Sequence, residues 1–231
     1  FETPLEGKSG FYALYAGGQF DESDLTDRLG QHYWGAALTF KPWPSCRGTH
    51  PFIEMALDLL AQHGFAADDI ASVEVMVDDV QAMLVEPLER KQAPVVAIDA
   101  KFSIPFTTAL ALVRGAVRLD DFDAVSLADP EVLAMAARVA AHVDPRPTWQ
   151  PGVGGAIRIT LTNGETFEAW LDSALGCPAR PLSPAAQRAK FLDCVGRAAV
   201  PVLPEAASRL ADAILGLDTV ADVGALFQPP A

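Results

Sequence analysis

The sequence predicts an α+β fold in which a mostly antiparallel sheet lies between helical segments. Two alternating runs meet at Asn163-Gly164, which is the strongest hairpin signal in the chain. Helical patterns open the chain and return after residue 183. Strands and helices do not alternate regularly, which argues against a Rossmann or barrel fold.

The first forty residues predict two short helices and one strand. The apolar run GFYALYA predicts a helix over residues 10–16, and an Asp/Ser-rich start predicts a second over residues 23–29. The run WGAALTF suits a short strand over residues 34–40, which Pro42 and Pro44 would end.

A long amphipathic helix and a half-buried strand follow. Apolar residues recur at helical spacing over residues 51–62, and Thr49 is placed to cap this helix. The run ASVEVMVDD, residues 71–79, alternates valine with more polar residues, a pattern typical of a half-buried strand. Residues 81–97 are interrupted by two prolines and are predicted to be irregular.

The rest of the chain predicts one buried helix, the hairpin and a helical end. Small and aliphatic residues all round the run TTALALVRGA predict a buried helix over residues 106–116. Ser183 and Pro184 suit the cap and first turn of a later helix. The other predicted elements are helices over 130–137, 204–216 and 219–227, and a strand over 139–143.

Composition excludes several classes of protein. With 17 basic and 30 acidic residues the net charge is −13, which argues against a nucleic-acid partner because phosphate binding needs clustered Lys and Arg. Three widely spaced cysteines exclude a disulfide scaffold and fit a reducing cytosol, so a cytoplasmic location is expected. No apolar run approaches the roughly 20 residues of a membrane helix. The chain opens with Phe1 and not Met, so we expect a fragment or a subunit.

The segment KPWPSCRGTH, residues 41–50, is the richest in chemistry. It combines Lys41, Cys46, Arg47 and His50 just before a long helix. A loop that leads into a helix N-terminus favours anions, because free N–H groups and the helix dipole point at the ligand. Lys41 and Arg47 can bind carboxylates, and His50 can transfer protons near neutral pH. The pattern alone favours a simpler interpretation, a capped helix with solvated cations and a surface histidine.

The segment AKFSIPF, residues 100–106, is the second candidate. Lys101 comes just before the predicted buried helix, and Ser103 is at a capping position. Taken alone, this segment favours a helix cap with Lys101 on the surface. The remaining histidines have no companions at metal-ligand spacing, so the sequence predicts no metal site.

Three blocks of the sequence resemble the MmgE/PrpD family. KPWPSCRGTHP resembles the family stretch Lys-Pro-Tyr-Pro, a small residue and Cys, followed by Thr/His and a long helix. AKFSIPF with a small-residue helix resembles the second block, and GCPARPLSPAAQRAKF resembles the third, which ends in Lys-Phe. The blocks come in the family order and cover nearly all of the chain. Trp43 and Phe106 stand where tyrosine is usual, so any contact made by those hydroxyls is lost.

The resemblance implies an all-helical domain, built from both ends of the chain, into which an antiparallel-sheet α+β lid domain is inserted. On this basis residues 1–36 end the first helical part, residues 37–176 form the lid, and residues 177–231 return to the helical domain. The active site is expected in the cleft, with His50 as the catalytic acid/base. The expected substrate-binding residues are Lys41, Cys46, Arg47, Lys101 and Ser103. No metal or cofactor is implied.

The resemblance also implies a reaction and a partner. The family contains 2-methylcitrate dehydratases and related polycarboxylate lyases and isomerases, so we expect proton abstraction next to a carboxylate with loss of water, as in propionate metabolism. A dicarboxylate epimerase, a cis-aconitate decarboxylase and a non-catalytic structural or regulatory subunit remain alternatives. Family members carry an N-terminal helical half with further Asp and His acid/base residues. A partner chain holding that half is therefore expected, in a homo- or hetero-oligomer.

Overall fold

The computed structural model describes residues 2–21, 23–144, 146, 148–200 and 202–224. The chain separates into two compact units, Phe1–Leu38 and Thr39–Ala231. The first unit contains α1 (Phe11–Tyr15) and α2 (Ser23–Thr26), so both early helices are confirmed with shorter bounds. The domain boundaries implied by the resemblance stay predictions.

The strand predicted over residues 34–40 is wrong. Trp34–Ala37 forms a single 3-10 turn, and residues 38–40 belong to no strand. No described strand pairs with this segment, and the Phe40 N–H instead donates to the Gly176 carbonyl at 2.9 Å. Because a strand needs a partner for its backbone groups, this apolar run adopts a local turn.

The central helix of the second unit is α3 (His50–His63), which confirms the helix predicted over residues 51–62. It ends at Gly64, which takes a left-handed φ of +69° and donates its N–H to the Leu60 carbonyl at 2.9 Å. The side chains that α3 contributes to the core are each at most 3% exposed: Phe52, Ile53, Met55, Ala56 and Leu59.

Four strands form one mixed sheet in the order β2-β1-β3-β4. They are β1 (Ile70–Val77), β2 (Val139–Val143), β3 (Gly155–Leu161) and β4 (Thr166–Leu171). The predicted hairpin is confirmed, since β3 and β4 pair antiparallel around Asn163-Gly164, and β1 also pairs antiparallel with β3. The α+β class is confirmed, but β1 and β2 are parallel, so the sheet is not wholly antiparallel. The long connection over residues 78–138 brings the chain back so that β2 runs in the same direction as β1.

The connection between β1 and β2 is helical. Its α-helices are α4 (Leu88–Gln92), α5 (Ala97–Lys101), α6 (Ile104–Arg114), α7 (Ala124–Leu127) and α8 (Pro130–Ala136). The buried helix predicted over residues 106–116 is confirmed as α6, and the helix over 130–137 as α8. Residues 81–97 are less irregular than predicted, because α4 forms within them. On one face of the sheet, β1 and β3 contribute side chains that are completely buried: Val73, Val75, Val77, Ile157 and Ile159.

Two longer helices follow the sheet. They are α9 (Pro184–Gly196) and α10 (Pro204–Leu215), and both confirm predicted elements. The Ser183 hydroxyl caps α9 by accepting a hydrogen bond from the Ala186 N–H at 3.1 Å. The helix predicted over residues 219–227 is wrong for the described part of that range, because residues 219–224 form no α-helix and Thr219 only ends a 3-10 turn, Leu217–Thr219; residues 225–227 lie outside the described residues.

Candidate active site

The two segments that the sequence singled out lie side by side. The Cys46 N–H donates to the Lys101 carbonyl at 2.8 Å, which joins the loop before α3 to the end of α5. Cys46 itself is a half-buried free thiol. Because this hydrogen bond links backbone to backbone, it fixes the start of α3 beside the residues that lead into α6.

A 3-10 turn at Arg47–Thr49 leads into α3 and places His50 at the first position of the helix. The Thr49 hydroxyl donates to the Cys46 carbonyl at 2.8 Å and shares a 2.7 Å hydrogen bond with the Ser45 hydroxyl. The N-cap bond predicted for Thr49 is therefore wrong. Its backbone is already helical, with φ −85° and ψ −19°, so the side chain bonds backward into the loop.

His50 is fully buried, and neither ring nitrogen has a hydrogen-bond partner within the described part of the chain. Trp43 packs edge-to-face against the imidazole, with ring centroids 5.4 Å apart at 87°. Leaving a buried polar group unpaired is costly, so an unpaired group in a folded protein requires an explanation. The surface histidine that the pattern alone favoured is wrong, because His50 is buried.

Burial lowers the pKa of His50 to about 4. The positive charges of Lys41, Arg47 and Lys190 act in the same direction as burial and contribute to this value, and the nearby Ser45 carbonyl opposes the shift without reaching hydrogen-bond geometry. At neutral pH the imidazole is therefore uncharged. A neutral imidazole surrounded by cations can accept a proton, and its surroundings favour an anionic ligand.

Arg47, like His50, has buried polar atoms that lack a hydrogen-bond partner among the described residues. Its Nε and Nη2 atoms are buried without a partner in the described residues, although the side chain as a whole is only half-buried. A guanidinium presents donors in a planar fork that matches a carboxylate. Arg47 and His50 together thus offer buried N–H donors for which the described residues supply no acceptor.

Lys101 and Ser103 are placed differently. The Lys101 ammonium lies 5.3 Å from the centre of the Phe122 ring, and Lys101 is not among the cations that lower the pKa of His50. The Ser103 hydroxyl donates to the Lys91 carbonyl at 2.5 Å and accepts from the Phe106 N–H at 3.0 Å. Ser103 thus caps α6, as its position predicts, and its hydroxyl is occupied within the chain. Substrate binding by these two residues stays a prediction.

The segment between β4 and α9 contacts α3 through an ion pair. Arg180 pairs with Glu54 of α3 and donates to the Ser173 carbonyl at 2.6 Å. Burial raises the pKa of the Cys177 thiol, but hydrogen bonds with Ser173 and nearby N–H groups, together with the charge of Arg47, hold it below its ordinary value. Since Arg47 acts on both Cys177 and His50, all three sequence blocks meet around the start of α3.

Lys190 of α9 lies near the candidate site and was not predicted from the sequence. It is half-buried and lines a cavity of about 360 Å³ together with Trp43, whose ring also packs against His50. Its position in the Lys-Phe end of the third block is the signal that could have identified it. His50, which lies near Lys190 in the fold, is 140 residues earlier in the chain, so the sequence alone did not bring the two together.

The described residues carry neither a metal cluster nor a membrane span. No three His, Cys, Asp or Glu side chains among them are grouped so that they could hold a metal ion. In the same ranges, no helix has both the length and the apolar character that crossing a bilayer requires.

Comparison with known proteins identifies the family. The profile of the MmgE/PrpD C-terminal domain matches residues 43–217, about three quarters of the chain. A search of curated proteins found no match. The matched range includes Cys46, Arg47, His50 and Lys190, so most of the cluster described above lies within the family domain. This chain therefore belongs to the MmgE/PrpD family, whose C-terminal domain it contains.

Proposed function

We propose that this chain supplies the carboxylate-binding side of a lyase or isomerase, the activities general in this family. The observation that carries the proposal is the pair of buried, unpartnered side chains, His50 and Arg47, among the described residues. Lys41 and Lys190 add positive charge near His50. A small molecule with several carboxylates supplies the acceptors and the negative charge that this cluster lacks.

Dehydration of a 2-methylcitrate-like tricarboxylate is the reaction that we propose first. The uncharged His50 imidazole takes a proton from the carbon next to a carboxylate, and the electrons of that C–H bond pass into an enediolate. Arg47 and the two lysines stabilise the enediolate charge, which exists only after proton removal. Collapse of the enediolate forms the carbon–carbon double bond and expels the hydroxyl, which leaves as water after protonation by an acid.

Direct binding tests the proposed ligand class. We expect citrate to bind the chain in isothermal titration calorimetry, and Arg47→Met to weaken this binding about tenfold or more, because hydrogen bonds to charged groups contribute about 1.5–3 kcal/mol. Arg209→Met is the matched control, since Arg209 is exposed and the change in net charge is the same. Equal citrate affinity in wild type and Arg47→Met would contradict the proposal. A substrate panel of 2-methylcitrate, cis-aconitate and a dicarboxylate then separates dehydration from decarboxylation and epimerisation.

We also propose a partner that carries the N-terminal helical half of the family enzyme. In the second unit, α9 and α10 form a mainly apolar groove of about 560 Å³, lined in part by Phe40, Phe191, Ile214 and Leu215. In the first unit, Phe11, Leu14 and Tyr15 are 52%, 68% and 77% exposed. Exposed apolar surface in either unit is typical of protein interfaces. A cytoplasmic location, expected from the cysteine usage, belongs to the same proposal.

Native mass spectrometry of the protein purified from its own cells tests the partner. We expect a complex in which this chain is bound to a second polypeptide, because the apolar groove and the exposed aromatic residues are then covered. A homogeneous monomer that unfolds cooperatively would contradict this expectation.

A further inference from the structure

A buried glutamine lies directly behind the turn that presents the candidate site. We propose that Gln81, held by Asp78, is a positioning residue that fixes the Arg47–Thr49 turn and thereby places Arg47 and His50 for the ligand. The inference rests on the proposed function for its ligand, whereas the hydrogen bonds that support it are independent of any ligand.

Gln81 has no exposed surface, and its amide is fully used. Its Nε2 donates to the Gly48 carbonyl at 3.0 Å and to the Gly154 carbonyl at 2.9 Å. Its Oε1 accepts from the Asp78 N–H at 3.1 Å. One side chain therefore links the turn before α3, 33 positions earlier in the chain, to the residue before β3, 73 positions later.

Asp78, at the end of β1, completes this set of hydrogen bonds, and we call Gln81 and Asp78 together the clamp. One carboxylate oxygen accepts from the Gln81 N–H at 2.8 Å, and the other accepts from the Gly152 N–H at 2.5 Å. Both oxygens are thus engaged, and Asp78 as a whole is 7% exposed. Because β1 is a central strand of the sheet, this clamp transmits the position of the sheet to the turn.

Gly48 shows how closely the turn rests on the clamp. A Cβ atom at Gly48 would lie 2.6 Å from the Leu84 side chain and 3.1 Å from the Gly152 carbonyl oxygen. The turn therefore has little space in which to shift toward Leu84 or Gly152. On its other side the Cys46 N–H is held by the Lys101 carbonyl at 2.8 Å, so the backbone on each side of Arg47 is fixed.

The chemistry of the clamp requires an amide. Only an amide side chain of this length can donate to two carbonyls and accept from an N–H at the same time. Methionine at position 81 preserves much of the volume but leaves the Gly48 and Gly154 carbonyls unpaired. We expect the turn to loosen, and a displacement of about 1 Å in a ligand-binding group can lower activity about a hundredfold.

The test uses Gln81→Met in the full chain with two readouts. The first is the titration of His50, followed by NMR with isotope-labelled histidine; we expect its pKa to rise from about 4 toward the ordinary 6.5 as water reaches the loosened turn. The second is citrate affinity, which we expect to fall about tenfold or more, as for loss of a hydrogen bond to a charged group. Citrate is used as the probe because it carries three carboxylates.

Gln92→Met is the matched control. The Gln92 amide also donates to backbone carbonyls, including that of Val139 at 2.9 Å, but it supports the start of β2 and not the turn. The same chemical change there is expected to leave both the His50 titration and citrate affinity as in wild type. A shift of equal size in Gln92→Met would show a general loss of packing and would overturn the positioning role.

A folded Gln81→Met chain whose His50 titrates as in wild type also overturns the proposal. Should this variant fail to fold, Asp78→Asn serves instead, since it keeps the Gln81 amide and removes one acceptor oxygen; an unchanged His50 titration in that folded variant is equally contradictory. If wild type does not bind citrate, the proposed function is in error, and the titration readout still decides the role of Gln81.

Discussion

Replacing His50 by glutamine is expected to lower the turnover of a converted polycarboxylate at least about a hundredfold, the usual contribution of a general base. Glutamine is polar and similar in size, but it cannot take a proton from carbon. Since Arg47, Lys41 and Lys190 remain in place, the loss should fall on kcat and leave KM nearly unchanged. Steady-state kinetics of the assembled protein with the best substrate of the panel measures both constants.

His142→Gln is the control for this experiment. His142 is an exposed residue of β2, so its replacement removes a histidine without touching the buried cluster. The control should retain full activity. If His50→Gln retains it as well, the imidazole is not the base, and the alternative of a non-catalytic subunit gains support. Retention of citrate binding by the inactive variant would separate a chemical role from a binding role.

The parts of the fold that the sequence predicts well are those fixed by neighbouring residues. The hairpin at Asn163-Gly164 needs only a turn that accepts a positive φ, and Gly164 adopts +88°. The Ser183 and Ser103 caps likewise depend on a hydroxyl three residues before an N–H. Such local arrangements require no knowledge of which distant segments meet.

The errors are failures of long-range pairing. The apolar run at 34–40 suits a short strand, but no described strand lies beside it, and its backbone turns instead. The parallel pairing of β1 with β2 could not be deduced either, because it depends on where a connection of about sixty residues (residues 78–138) brings the chain back. Pattern gives the type of an element, and tertiary contacts decide its partner.

In the candidate site, too, the residues from one segment were predicted and those from distant segments were not. Arg47 and His50 lie three residues apart, so their proximity was expected from the segment 41–50 alone. Lys190 and Gln81 were not identified, because each reaches the turn from a distant part of the chain. A glutamine in an interrupted segment carries no sequence signal of its own, and only its hydrogen bonds indicate its importance. Burial also changed the expectation for His50, which the pattern alone favoured as a surface residue.

Acidification from neutral pH to pH 4 is expected to destabilise the chain by about 3 kcal/mol through His50 alone, given 1.36 kcal/mol per pKa unit. The pKa of His50 is about 4 in the folded chain, against 6.5 as its ordinary value. Between these two values the unfolded chain binds a proton that the native chain does not, so stability rises with pH across this window. As pH falls from 6.5 toward 4, that contribution is progressively lost.

Urea unfolding of wild type and His50→Gln between pH 4 and pH 7.5 isolates this contribution. Other groups titrate in both proteins, so their effects cancel in the difference of the two unfolding free energies. The difference should change steeply between pH 6.5 and pH 4 and remain flat above 7. A difference that is flat throughout would mean that His50 is not buried in its uncharged form. Burial would then not hold His50 uncharged at acidic pH, and because an imidazole with an ordinary pKa can also accept a proton at neutral pH, its role as the base would rest on the kinetics of His50→Gln.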